Sequence, residues 1–291
     1  MKRMTGLALC FFLCFFSAAN FGMVKGIYLT QTTLEDTKYL TYLIYHAKKS
    51  GIDTFVIDLE KPSALSQKNA NLVTSSGIHY IARIIVFPGG GTPDQVLSEK
   101  YWEKKYRLAE YAIEYGARQI QLDYIRYNTH QGASPQHAED ILKILQWFKE
   151  RLAKQHVPLQ IDVFGISSFG EEQHIGHNVK LFSTTIDALC PMVYPSHYEP
   201  FLIHAVTPYH TVYESLQSIK GQFDNSQPPF KLYPFIELSN YRYPLSEQKK
   251  FSYIYAQIKA VEASGADGWF AWSAHNYYDN LFTLLESRRV Q

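Results

Sequence analysis

The sequence predicts an α/β chain folded as one (β/α)8 barrel, and three observations predict it. Short apolar runs rich in β-branched and aromatic residues recur eight times, at 25–30, 54–60, 80–87, 119–127, 159–165, 188–194, 231–238 and 268–273. Amphipathic stretches separate them, at 37–49, 104–115, 135–154, 179–185, 209–220 and 247–264, with a less regular link at 61–78 and a last stretch at 277–289. Gly51, Gly116 and Gly265 each stand between a helical stretch and the next strand, where a left-handed cap is expected. Strands alternating with helices imply right-handed crossovers and a parallel sheet. Eight such units in 291 residues fit a closed barrel, which typically needs about 250. An open doubly wound sheet is the alternative, but it usually has fewer strands and a phosphate-binding turn near its start. Gly89-Gly90-Gly91 lacks the spacing for that turn.

Ahead of the first strand, Lys2 and Arg3 precede an apolar run at 7–16 and the small residues Ser17, Ala18 and Ala19. This is the three-part pattern of a secretory signal peptide, too short to span a bilayer. The expectation is a signal at 1–19, a barrel domain at 20–291, and a monomer delivered to the periplasm or the exterior without stable membrane insertion. Cleavage removes Cys10 and Cys14, leaving Cys190 in the apolar run Ala188-Leu189-Cys190-Pro191-Met192, where a buried, inert thiol is expected. A formal charge of +1 gives no basic face for nucleic acid. Aromatic residues make up 15% of the chain, with 22 Tyr against 4 Trp, so some rings are expected to line a site rather than fill a core.

Alternation along the strands sorts side chains by face. Strand one offers Tyr28. Strand two sets Val56, Asp58 and Glu60 on one face, and strand three Ile81, Arg83 and Ile85. In strand four, Ile120, Leu122 and Tyr124 suit packing against helices, so Gln121 and Asp123 point into the lumen. Strand five repeats the pattern, with Leu159, Ile161 and Val163 outward and Gln160 and Asp162 inward. Strand seven groups Tyr233, Phe235 and Glu237, and strand eight Phe270 and Trp272.

A buried carboxylate must be paired or functional. Asp123, Asp162 and Glu237 fall near the C-terminal ends of their strands, where barrel active sites lie. Two carboxylates at such a mouth, ringed by aromatic side chains, suit glycoside hydrolysis: one acid protonates the leaving oxygen, and a second attacks the anomeric carbon or activates water. Asp123 is the candidate nucleophile or stabiliser, and Asp162 or Glu237 the general acid. Tyr28, Tyr194, Tyr198 and Trp272 are candidate stacking platforms, and His197 a contact to a sugar hydroxyl. Asp58 and Arg83 complete the polar set, with a lumen salt-bridge network through Arg83 as the structural alternative. Arg126 is a candidate cation beside Asp123, provided the strand has ended before it. No His-x-His or His-Glu-x-x-His spacing supports a metal, and His174 and His177 flank Gly176 in what reads as an exposed loop. No metal or other cofactor is expected. A non-catalytic carbohydrate-binding barrel, or a metal-dependent deacetylase or esterase, are the competing readings.

The segments Val24-Lys25-Gly26-Ile27-Tyr28-Leu29-Thr30, Ile81-Ala82-Arg83-Ile84, Gln121-Leu122-Asp123-Tyr124-Ile125-Arg126-Tyr127, Asp162-Val163-Phe164-Gly165, Pro191-Met192-Val193-Tyr194-Pro195-Ser196-His197-Tyr198 and Gly268-Trp269-Phe270-Ala271-Trp272 span nearly all of the chain after the signal. In this order they resemble the "putative glycosyl hydrolase" family of secreted bacterial TIM-barrel domains. The resemblance implies a barrel related to other glycosidases, with Asp123 as the catalytic carboxylate and a carbohydrate as substrate.

Overall fold

The computed structural model describes residues 22–224 and 226–289, so the expected signal at 1–19 lies outside the described residues. Strands β1 (Val24–Leu29), β2 (Thr54–Asp58), β3 (His79–Ile85), β4 (Gln119–Asp123), β5 (Leu159–Phe164), β6 (Ala188–Met192), β7 (Lys231–Leu232), β8 (Phe235–Glu237) and β9 (Gly268–Trp272) form one parallel sheet. β1 pairs with both β2 and β9, and β5 with β6, which closes the sheet. The closed sheet is the expected eight-stranded barrel, its seventh strand split into β7 and β8. The split has a chemical cause. Pro234 has no N–H to give to a ladder. Its carbonyl still accepts from Phe270 N at 2.9 Å, so the chain stays in place across the break.

The longer helices follow the sequence pattern: α2 (Thr37–Ser50), α3 (Ala64–Ser75), α5 (Glu99–Glu114), α6 (Gln136–Ala153), α9 (Pro208–Gly221), α10 (Glu247–Ser264) and α11 (Asp279–Arg289). α1 (Gln31–Glu35), α4 (Pro93–Val96), α7 (Val179–Phe182) and α8 (Phe201–Val206) are short turns of helix in the loops. The caps are local chemistry. Asp36, Ser63, Ser98 and Ser246 accept from backbone N–H groups at the starts of α2, α3, α5 and α10. α2 and α10 stop at Gly51 and Gly265 in left-handed backbone. No described helix is long and apolar enough to cross a membrane.

Two apolar layers hold the barrel. The outward strand residues, among them Ile57, Ile120, Leu122, Ile161 and Trp269, pack with the helices. A smaller cluster of Val56, Ile81, Cys190, Phe235 and Phe270 fills the lumen. Buried amides join this cluster: Gln121 Nε2 donates to Gln160 Oε1 at 3.3 Å and to Cys190 Sγ at 3.0 Å. Cys190 is buried as expected, and burial pushes its thiol well above the ordinary range. The lumen is therefore plugged by side chains, and it opens into a cleft at the C-terminal ends of the strands.

Candidate active site

At that open end, the register places Asp58 beside Arg83, and Arg83 one strand from Gln121. Arg83 becomes the hub of the site. Its Nη1 donates to Asp58 Oδ1 at 2.5 Å, its Nη2 to Asp123 Oδ2, and its Nε to Asp162 Oδ2 at 3.2 Å. One guanidinium thus gathers carboxylates from three strands, using the fork of donors that distinguishes arginine from lysine. The Tyr28 hydroxyl donates to Asp58 Oδ2 at 2.5 Å, and its ring lies 5.1 Å from the Arg83 guanidinium.

The carboxylates differ in environment. Asp123 Oδ1 accepts from Tyr124 N at 2.5 Å, so both of its oxygens have donors. Asp162 has a partner on Oδ2 only, while its buried Oδ1 has none. Burial, then the negative charge of Asp123, pushes Asp162 well above the usual carboxylate range, against the pull of Arg83. Asp58 is also raised by burial, with Arg83 opposing. Asp162 is thus the carboxyl group suited to hold a proton, whereas Asp123 is the one with hydrogen-bond donors on both oxygens.

These groups line a cleft of about 470 Å³, within the usual range of about 300–1,000 Å³ for small-ligand sites. Tyr28, Asp58, Arg83, Asp123, Asp162, Tyr194, His197 and Trp272 all border it. Eight candidates read from the sequence therefore converge on one cavity. The Tyr194 and Trp272 rings stack at 5.1 Å and 22°, forming an aromatic wall, and His197 meets Tyr194 edge-on at 5.1 Å. Burial and the charge of Arg242 hold the His197 imidazole below its ordinary value, which suits a neutral hydrogen-bonding role at the rim.

Three candidates sit elsewhere. Glu237 is fully buried behind the cleft wall; it accepts from Ser196 N at 2.8 Å, Ser196 Oγ at 2.6 Å and the Tyr253 hydroxyl. Glu237 is the last residue of β8, paired with Trp272, and its side chain serves α10 and the turn after β6 instead of the mouth. Tyr198 follows a short 3₁₀ turn (Pro195–His197), which buries it against Gly165, with its hydroxyl 2.9 Å from Ser215 Oγ. Arg126 lies behind the wall, its guanidinium 5.4 Å from the Tyr124 ring and 5.0 Å from the Phe164 ring. The cation that contacts Asp123 is Arg83.

The cleft also uses residues that strand alternation assigned otherwise or left unremarked. Tyr124, expected against the helices, borders the cleft because β4 stops at Asp123 and Tyr124 takes a left-handed φ of 52°. That one turn of the chain resets the phase and aims the Tyr124 amide at Asp123. Phe164 and Met192 border the cleft as well. Both continue the inward phases Gln160–Asp162 and Cys190, so alternation carried two residues further reaches them. His177, expected in an exposed loop, is buried with Nδ1 3.2 Å from Ser167 Oγ, and burial holds its imidazole down to about 4. Among the described residues, no group of three or more His, Cys, Asp or Glu side chains is arranged to hold a metal ion.

A closed parallel barrel whose open end gathers carboxylates beneath aromatic walls is a barrel of the glycoside hydrolase class. Residues 93–278 match the family described as a putative glycosyl hydrolase domain, and the chain belongs to that family; it is a glycosidase. The fold is shared with the spore cortex-lytic enzyme SleL of Bacillus cereus, at a TM-score of 0.65 and 16% identity over 90% of this chain and 73% of that one. It is also shared with the PgaB (BpsB) glycoside hydrolase domain of Bordetella bronchiseptica, at 0.61 and 10% identity over 90% and 98%. A chitinase of Chromobacterium violaceum gives 0.59 and 10% identity over 92% and 99%. Among curated protein sequences, none matches the chain.

Proposed function

We propose that the protein is an exported glycosidase that cleaves a polysaccharide, with Asp162 as general acid and Asp123 as the carboxylate facing the anomeric carbon. The observation that carries this reading is the pairing of unlike carboxyl groups on adjacent strands in one cleft: Asp123 with donors on both oxygens, Asp162 buried with one oxygen free. Asp162 would give its proton to the glycosidic oxygen as the bond to the anomeric carbon breaks. Asp123 would stabilise the oxocarbenium-like transition state and serve as nucleophile or as base for the attacking water. Trp272, half-buried at the cleft and stacked on the buried Tyr194, offers a ring for the apolar side of a sugar. The signal-like pattern at 1–19 supports delivery outside the cytoplasm, where such polymers occur.

Cell-wall and amino-sugar polymers are the first substrates to test, since the structurally similar proteins are named as cortex-lytic and chitinase enzymes. The purified protein, incubated with chitin, de-N-acetylated chitin and peptidoglycan glycan strands, is expected to release reducing ends from one of them. Asp123→Asn should lower that rate by about 10²–10⁴-fold, the range for loss of a positioned acid–base group. Saccharide binding without released ends, unchanged in Asp123→Asn, would make this a binding barrel and overturn the proposal.

A further inference from the structure

The segment after β9 separates two hollows. Trp272 and Ala274 border the catalytic cleft, whereas Ser273 and His275 border a neighbouring depression of about 450 Å³. Tyr241 ties the hollows together. It lines the second, its ring lies 5.1 Å from Trp272, and its hydroxyl accepts from Ala274 N at 3.3 Å. Between them stands the small, exposed Ala274.

The second hollow shows its rings to solvent: Tyr241 is 47% exposed and Tyr277 68%. A tyrosine that exposed gains little from folding, yet its backbone is tightly fixed. Tyr277 N donates to Ser273 Oγ at 3.1 Å. The preceding Asn276 is buried in left-handed backbone at a φ of 55°. Its Oδ1 accepts from Thr30 N at 2.8 Å, its Nδ2 donates to Ser273 O at 3.0 Å, and its carbonyl accepts from the Tyr39 hydroxyl at 2.9 Å. Held by this many bonds, the backbone of the loop that carries Tyr277 is fixed in place. Thr30, which fixes Asn276, itself borders the catalytic cleft, so the loop joins both hollows in one rigid piece. Around the rings, Glu247 and Asn280 supply acceptors and donors, linked by an Asn280 Nδ2 to Glu247 Oε2 bond of 3.2 Å. Flat apolar faces beside polar groups match a pyranose, which has an apolar face and an equatorial rim of hydroxyls.

We infer that the hollow lined by Tyr241, His275 and Tyr277 is a distal sugar subsite, continuous with the catalytic cleft across Ala274, so that the substrate is a polymer gripped over several units. The inference rests on the glycosidase reading of the cleft. Binding by the inactive Asp123→Asn protein tests it, with N-acetylglucosamine oligomers from disaccharide to hexasaccharide and their de-N-acetylated counterparts as probes in calorimetry. Affinity is expected to rise with length. Adding Tyr277→Ala should weaken the hexasaccharide about tenfold, as loss of one ring stack implies, and leave the disaccharide unchanged; Tyr277→Phe should restore it. Affinity independent of length, or a hexasaccharide indifferent to Tyr277→Ala, would overturn the subsite and leave the glycosidase reading standing. Failure of every oligomer to bind would overturn both.

Discussion

Asp58, Asp123 and Asp162 share a single guanidinium, so the three residues are unequal in what their removal costs. Replacing Asp123 by Asn takes away a negative charge facing Arg83 and relieves the repulsion that Asp123 exerts on Asp162. The lost charged hydrogen bond contributes about 1.5–3 kcal/mol, and the relief together with the bonds Arg83 keeps to Asp58 and Asp162 offsets part of it. The variant should therefore melt close to the wild type while losing hydrolysis, which makes it a sound catalytic control. Arg83→Met is the opposite case, for it leaves three buried carboxylates without their cation. Removing one partner of a buried ion pair costs about 3–5 kcal/mol. The folded-state carboxyl groups, already raised by burial at Asp58 and Asp162, then rise further. A raised carboxyl contributes stability below its unfolded value and loses it as pH climbs through its folded value. The deficit of Arg83→Met should accordingly be larger at pH 8 than at pH 5 in urea titrations, and an equal deficit at both would mean that Arg83 does not hold these groups.

Strand β4 and the loop that follows it show what period-two reasoning reaches and where it stops. Asp58, Arg83, Asp123 and Asp162 lie within strands and Trp272 at a strand end, where alternation grouped them by face; Tyr28 and Tyr194, read as stacking rings, border the same cleft. The failures lie at or past strand ends. A single left-handed residue at Tyr124 turns Tyr124 into the cleft and Arg126 behind it; no periodic signal encodes such a turn. Glu237 closes the short β8 and Tyr198 follows a 3₁₀ turn, and at both the local hydrogen bonding overrides phase. The glycine triplet after β3, unfit for phosphate, is explained by the same loop. Gly90 has a φ of +99°, and a Cβ there would lie 2.6 Å from Arg126 Nη1 and 2.7 Å from Tyr127 O. The glycine thus makes room for the guanidinium that packs behind Tyr124 and Phe164, two walls of the cleft. Gly90→Ala should cost about 1–3 kcal/mol through backbone strain and weaken substrate binding as the aromatic wall shifts. Urea titration and KM together check this, and a variant with unaltered stability would show that the loop tolerates the side chain.

Across the whole molecule, the barrel is least securely paired where its seventh strand is broken. β8 meets β6 at the single pair Met192–Phe235, whereas β2 and β3 share five pairs. Glu237 spans this seam. Its carboxylate accepts from Ser196 beyond β6 and from Tyr253 on α10, while its backbone N–H and carbonyl bond the Gln257 side chain at 3.1 and 2.8 Å. A carboxyl group in a catalytic barrel has here become a clamp between strands and a helix. Burial pushes it up to about 7 from an ordinary 4.5, even though three donors favour the ionised form. The sign follows from proton counting. Between about pH 4.5 and 7 the folded protein binds the proton more firmly than the unfolded chain, so stability contributed at acid pH is lost as pH rises to 7 and stays lost above it. The shift corresponds to about 3 kcal/mol. Glu237→Gln keeps a neutral side chain of the same shape and has no proton to lose. Its stability relative to the wild type should therefore improve as pH rises from 5 to 8, with the change concentrated below 7, in paired urea titrations. A constant difference between the two proteins across that range would show that Glu237 titrates normally and that the seam is held by packing alone.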